Sequence, residues 1–311
     1  MEKLQDESNL IVVCGATGRQ GGAVVRQLKS DGWRVKALTR NPHGTGAEKL
    51  RRDGIELVQG DLDDVGSLKT AFQGASGVFG VTDFWEHGYE AELRMGRNLI
   101  AAVNACNVDH FVFSSVGATE RTEGLEITHF DGKREIERAI ADSGLNASIL
   151  KPVTFMDNMS GPRFRANICK KGKFQFGFNK RHKFQLIAMR DLGIFASLAF
   201  QKHPALYRKS TELASEVITM EDFSTKLSVV VGRPVRYVFL TRPMQQVIGF
   251  FISILRRQGK YKAGPSLVNQ FSWNNEDGGW AADINALKAI HPALMTTDEW
   301  MQTIDWWEGL R

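Results

Sequence analysis

The chain has 311 residues, 42% hydrophobic and 24% charged, with a formal net charge of +5. That is the composition of an ordinary folded domain or two unequal ones, and it excludes a disordered or fibrous chain. Three well-separated cysteines, Cys14, Cys106 and Cys169, exclude a CxxC pair, a metal-ligand cluster and an oxidised secretory framework, so a reducing cytoplasm fits best and no metal is expected.

The first nine residues, MEKLQDESN, read as a polar tail without the apolar centre of a signal peptide. From residue 10 the chain alternates. LIVVCG (10–15) is a short apolar strand before a glycine-rich turn, and GGAVVRQLKSDG (21–32) has helical spacing. RVKALTR (34–40), IELVQGD (55–61), GVFGVT (77–82), HFVFSS (110–115) and NASILKP (146–152) read as strands. Residues 46–54, 65–74, 89–106 and 130–144 read as the intervening helices. Strands and helices alternating through short turns predict an α/β fold, a doubly wound parallel Rossmann sheet over residues 10–155.

After Pro152 the rhythm changes. Residues 163–190 hold no acidic residue, and KFQFGF (173–178) and KFQLIA (183–188) look like two short strands around a turn. An amphipathic helix is expected over 189–200, and capped helices begin at Thr219 and Thr296, each followed three residues later by an acid. Residues 156–311 therefore read as a smaller α+β domain for substrate or partner, with some segments free to return to the sheet. Charge divides the same way. The first 150 residues carry 17 Lys and Arg against 22 Asp and Glu, a net of −5, and the rest carry 23 against 13, a net of +10. The basic half suits an anionic substrate, cofactor phosphates, a membrane surface or a nucleic acid, and its run from Arg163 to Lys183 suits an acidic partner.

The strongest motif is VCGATGRQGG, with Gly15, Gly18 and Gly21 spaced GxxGxxG between a strand and a helix. The first glycine permits the tight turn, the next the approach of a pyrophosphate, and the last close helix–strand packing. A dinucleotide is therefore expected. NAD readers place an acid at the end of the second strand, whereas this chain has Arg40, which suits the 2′-phosphate of NADP(H). Asp61 and Leu62 follow the third strand, at the adenine end. Val81 and Thr82 close the fourth, where backbone approaches the nicotinamide half.

Together GATGRQGG, ALTRNP, VQGDLDD, VTDFWE, FVFSSV, HFDGKREIE and ILKPVTFMDNM resemble the NmrA-like family, atypical members of the short-chain dehydrogenase/reductase superfamily. The resemblance is specific over most of residues 10–160 and continues weakly through ADINALKAIHPALMTTDEW. It implies a Rossmann domain, a small C-terminal domain and NADP(H). By position it implies Gly15, Thr17, Gly18, Gln20 and Gly21 on the pyrophosphate, Arg40 on the 2′-phosphate, and Asp61 and Leu62 on the adenine. It further implies Lys133, Pro152, Phe155 and Asn158 at the nicotinamide end.

THFDGK (128–133) holds His129 and Lys133 one helical turn apart, where the parent superfamily has its tyrosine and lysine. Histidine donates protons near neutral pH, so His129 and Lys133 are the candidate catalytic residues. Trp85, Ser114 and Met156 are candidates for substrate contact, with Ser115 beside them.

Two functions follow. One is a cytoplasmic NADPH-dependent reductase of a small aromatic, quinone-like or enone compound. The other is an NADP(H) redox sensor that regulates a partner protein or transcription factor, in which case the nucleus is also a place for it. No motif of a nucleic-acid-binding module or a hydrolase is present, so no direct nucleic-acid contact is expected. The longest apolar run, Val247 to Leu255, is about half a bilayer span. With the basic residues after it, the stretch 247–262 suits peripheral contact with a membrane or a partner helix.

Overall fold

The computed structural model describes residues 9–255, 263–276 and 279–304. In chain order the described elements begin with β1 (Leu10–Val13), α1 (Arg19–Ser30), β2 (Arg34–Thr39), α2 (Thr45–Arg52), β3 (Glu56–Gln59), α3 (Val65–Phe72), β4 (Gly77–Val81), α4 (Phe84–His87), α5 (Tyr89–Ala105), β5 (His110–Ser114), α6 (Thr128–Asp142) and β6 (Ala147–Pro152). They continue with β7 (Thr154–Phe155), α7 (Pro162–Lys171), β8 (Lys173–Phe176), β9 (Phe184–Ile187), α8 (Met189–Phe200), β10 (Ser210–Leu213), β11 (Glu216–Ile218), α9 (Met220–Val231), β12 (Arg236–Phe239), α10 (Arg242–Leu255), α11 (Ala263–Glu276), α12 (Ile284–Ile290) and α13 (Thr297–Gln302).

The described residues divide into two compact units. The first takes the chain up to Val116, then Gly132–Lys151 and Leu192–Thr211. The second takes Gly117–Asp131, Pro152–Asp191 and the described residues from Glu212 onward. The sequence reading places one break after residue 155. The units of the structure are interleaved, with 117–131 leaving the first unit and 192–211 returning to it.

The first unit is built on a sheet in the order β10-β6-β5-β4-β1-β2-β3. Pairs β1–β2, β2–β3, β1–β4, β4–β5 and β5–β6 are all parallel. This is the Rossmann order, and its direction of travel reverses between β1 and β4. Every residue of β1 and β5 is buried, as central strands covered on both faces must be. On one face Val12, Phe72, Leu99, Phe111, Phe113 and Ile136 form a continuous core. Elsewhere in this unit α8 lies against α1 so closely that a Cβ on Gly193 would stand 2.7 Å from the Ala23 carbonyl oxygen. Ser197 Oγ also donates to Asp31 Oδ2 at 2.6 Å.

The second unit holds two small sheets, β11-β9-β7 and β12-β8. β8 pairs parallel with β12, whereas β9 pairs antiparallel with β11 and parallel with β7. The expected strands around a turn are thus present but in different sheets. Aromatic rings pack around both strands. Phe178 meets Phe271 and Trp280 at 5.4 and 6.2 Å, and Phe174 stacks on Phe223 at 5.0 Å. The helix starts are as expected: Thr219 Oγ1 accepts from Asp222 N at 3.0 Å, and Thr296 with Glu299 forms a complete capping box. The helix that begins after Thr296 ends at Gln302 among the described residues.

Candidate functional site

At the carboxyl end of β1 the chain turns through Gly15, whose φ of +62° favours glycine. A Cβ there would stand 2.8 Å from Val81 Cγ1, and one on Gly21 only 2.3 Å from the Gly15 carbonyl oxygen. The turn is therefore folded onto β4 and against α1 as closely as backbone allows. Gly18 is the extended N-cap of α1; no side chain caps this end, and the first turn holds no acid. Thr17, Gly18 and Arg19 are exposed. The amino end of α1 thus presents its positive dipole end at the point where the strand order reverses.

The other predicted residues of the first unit lie around the same ends of the strands. Arg40 follows β2 and is exposed, its Nη2 3.4 Å from Glu86 Oε1 on α4. Asp61 and Leu62 follow β3. Asp61 Oδ1 accepts from Asp63 N at 3.0 Å, and the Leu62 carbonyl accepts from Asn98 Nδ2 at 2.8 Å. Gln20 reaches across to Ser114 at the end of β5, whose hydroxyl donates to Gln20 Oε1 at 2.7 Å. Ser114 is fully buried, so its hydroxyl braces the glycine turn. Ser115 donates to Glu137, which also pairs with Lys151 Nζ at 3.0 Å in a buried chain. Trp85 is half-buried, edge-on to Phe84 at 5.5 Å.

Lys133 is buried on α6. Its ammonium donates to Thr82 Oγ1 at 2.6 Å, to the Thr82 carbonyl at 3.2 Å, and pairs with Glu92 Oε1 at 3.1 Å. It also lies 5.2 Å from the centre of the Phe113 ring. An ammonium has three protons to donate, and these three partners account for them. Glu92 has no exposed surface and accepts a further bond from Thr82 Oγ1 at 2.9 Å, while its Oε2 has no hydrogen-bond partner. Burial raises the Glu92 carboxyl above its ordinary range, against the opposing pull of Lys133 and Thr82. The sequence reading missed Glu92, although a signal was present. On α5 it shares the apolar stripe of Met95, Gly96, Leu99, Ala102 and Val103, where an acid is out of place unless it has a partner.

His129, Pro152, Phe155, Met156 and Asn158 belong to the second unit. His129 is buried with both ring nitrogens engaged, Nδ1 with Ser266 Oγ at 2.5 Å and Nε2 with Gln270 Oε1 at 3.0 Å. An amide oxygen only accepts, so Nε2 donates to Gln270. The same hydroxyl accepts from the His129 backbone N–H at 3.2 Å. Phe155 is buried, Met156 has no exposed surface, and Asn158 is exposed.

Of the basic segment 163–183, Lys180 and Arg181 pair with Glu221 at 2.7 and 3.7 Å. On α10, Val247, Phe250 and Phe251 are exposed; the basic residues expected to follow, 256–262, lie outside the described residues. Among the described residues no helix is long and apolar enough to cross a membrane.

Comparison with known proteins agrees with this architecture. The chain is 38% identical over 143 residues to notA′, an NmrA-like family domain-containing oxidoreductase of Aspergillus versicolor. That alignment covers 43% of this chain and 40% of the relative, less than half of its length. It is 28% identical over 232 residues to the NAD(P)H azoreductase of Xenophilus azovorans, covering 75% of this chain and 77% of that one. The structure of Citrobacter sp. triphenylmethane reductase complexed with NADP(H) superposes with a TM-score of 0.78 at 18% identity, covering 94% and 99% of the two chains. NmrA, a negative transcriptional regulator in complex with NADP, superposes with a TM-score of 0.74 at 18% identity, covering 96% of each chain. At such identities the two structures speak for the fold. The NmrA-like family model itself matches residues 7–301, and the chain belongs to that family.

Proposed function

We propose that the protein binds NADP(H) at the glycine turn of its first unit and reduces a small aromatic, quinone-like or enone compound in the cytoplasm. The observation that carries this reading is the uncapped amino end of α1, approached through glycines whose side chains would collide with backbone or with Val81. Gly15, Thr17, Gly18, Gln20 and Gly21 would hold the pyrophosphate, Arg40 the 2′-phosphate, Asp61 and Leu62 the adenine end, and Val81 and Thr82 the nicotinamide half, with the Lys133 ammonium bonded to Thr82. Bound there, the cofactor supplies a hydride.

The chain's own contribution is electrostatic. Lys133 offers a fixed positive charge beside Thr82 for the negative charge that develops on an acceptor. Its protons are spoken for, and both ring nitrogens of His129 are engaged by Ser266 and Gln270. Neither is a free acid, so acceptors whose reduced form is intrinsically stabilised suit this chain best. An NAD(P)H azoreductase and a triphenylmethane reductase are among the proteins the chain is similar to. The test is turnover of NADPH by the pure protein with a panel of quinones, enones, azo dyes and aldehydes. Tight NADPH binding with no turnover on any of them sinks the reductase.

A second reading, an NADP(H)-responsive regulator of a protein partner, is favoured by the same closed hydrogen-bond sets and by the likeness in fold to the NmrA regulator. It requires a partner whose binding differs between NADP⁺ and NADPH.

A further inference from the structure

Arg40 is the residue assigned above to the 2′-phosphate, and its guanidinium is already engaged. Nη2 lies 3.4 Å from Glu86 Oε1, with the two side chains 55% and 58% exposed. The backbone positions of both are held. Gln59 Nε2 donates to the Arg40 carbonyl at 3.5 Å. On the other side Asp83 Oδ1 accepts from the N–H groups of Trp85 and Glu86 at 2.8 and 3.1 Å, and Phe84 is buried in the core. The Glu86 carboxylate can rotate away from Arg40, but its backbone stays beside it. Asp83, which caps this short helix, and His87, whose Nε2 lies 3.8 Å from Glu86 Oε2, are also close by.

We propose that Glu86 is an internal competitor for Arg40 that lowers this chain's preference for NADPH over NADH. The proposal rests on the assignment of Arg40 to the 2′-phosphate. A phosphate and a carboxylate seek the same face of a guanidinium, and the phosphate binds best when it takes the fork bidentately. NADPH must therefore displace Glu86 and then tolerate a carboxylate that remains nearby. NADH brings no phosphate and leaves the Arg40–Glu86 pair intact. The pair is exposed, so the penalty on NADPH is modest and is screened by salt.

The test is a binding titration of the full-length protein with NADPH and with NADH, read by tryptophan fluorescence, at low and high salt. Glu86→Gln keeps the side chain's size and removes its charge. At low salt it is expected to tighten NADPH about two- to fivefold, the range of exposed ion pairs, with NADH changed less than about twofold. The gain should shrink at high salt. An unchanged NADPH affinity, or an equal gain for both nucleotides, overturns the proposal. Arg40→Ser, measured beside it, separates the two levels. If it leaves NADPH binding unaltered, the assignment of Arg40 falls. If it weakens NADPH selectively while Glu86→Gln does nothing, only the competitor falls.

Discussion

Lys133→Met isolates what the buried pair on α5 and α6 contributes. Methionine keeps the unbranched stem and deletes the ammonium, along with its bonds to both oxygens of Thr82 and to Glu92. Glu92 is then left fully buried with one oxygen on the Thr82 hydroxyl and the other still unpartnered. Removing one member of a buried pair costs about 3–5 kcal/mol, because the remaining charge has neither water nor counterion. The loss depends on pH, and its sign follows from the carboxyl. Burial already raises it from 4.5, and losing Lys133 removes the first influence that lowers it. Below 4.5 the carboxyl is protonated whether the chain is folded or not, so little charge is stranded. As pH rises above 4.5 the unfolded chain releases its proton, while the folded variant must keep the proton or bury a carboxylate. Urea denaturation at a series of pH values, wild type beside variant, should show a deficit that is small near pH 4.5 and grows to about 3 kcal/mol at neutrality. Adding Glu92→Met should recover part of it. A deficit under about 1 kcal/mol, the size of an exposed pair, or one that is flat with pH, refutes the reasoning.

Other consequences are equally open to measurement. His110 is buried against Ser148, Phe200 and Tyr207, and burial, reinforced by the charge of Lys202, lowers its imidazole from 6.5 to about 4. Its contribution is therefore fully present above 6.5 and is lost as pH falls toward 4, about 3 kcal/mol in all. His110→Gln should flatten that part of the stability profile, and an unaltered slope counts against it. Gly21→Ala places a Cβ 2.3 Å from the Gly15 carbonyl oxygen. The expected result is about 1–3 kcal/mol of destabilisation and weakened NADPH binding in a titration, and normal values for both would contradict the packing described. Burial pushes the Cys14 thiol up to about 12, so it should resist a thiol reagent until the protein is denatured, while half-buried Cys106 and Cys169 react first. Labelling of Cys14 in the native protein would be the contrary outcome.

The first unit was legible in the sequence because its signals are local. Apolar strands, a glycine turn and alternation with helices each lie within a few residues, and each reappears at the expected place. Arg40 and Lys133 could be named the same way, from their distance to a strand end or along a helix. What could not be read were the partners that decide what those side chains are free to do. Glu86 meets Arg40 from 46 residues away, Thr82 meets Lys133 from 51, and Ser266 and Gln270 close on His129 from 137 and 141. Such contacts are set by which elements the fold brings together, and no local pattern encodes them. The second unit was harder for the same reason. Its short strands take partners from other parts of the chain, as β8 with β12 and β9 with β11 and β7 illustrate.

The return of residues 192–211 to the first unit has a consequence for synthesis. A ribosome that has released residue 155 has supplied β1 to β6 but not α8 or β10. Until residue 211 emerges, β6 is a bare edge with unpaired backbone groups, and the sites that receive Phe195, Ala196, Ala199 and Phe200 stand open. The nucleotide-binding half therefore cannot be cut out as an amino-terminal fragment. A gene truncated at residue 155 should yield a chain that aggregates, and the shortest soluble version must carry the intervening segment of the second unit with it.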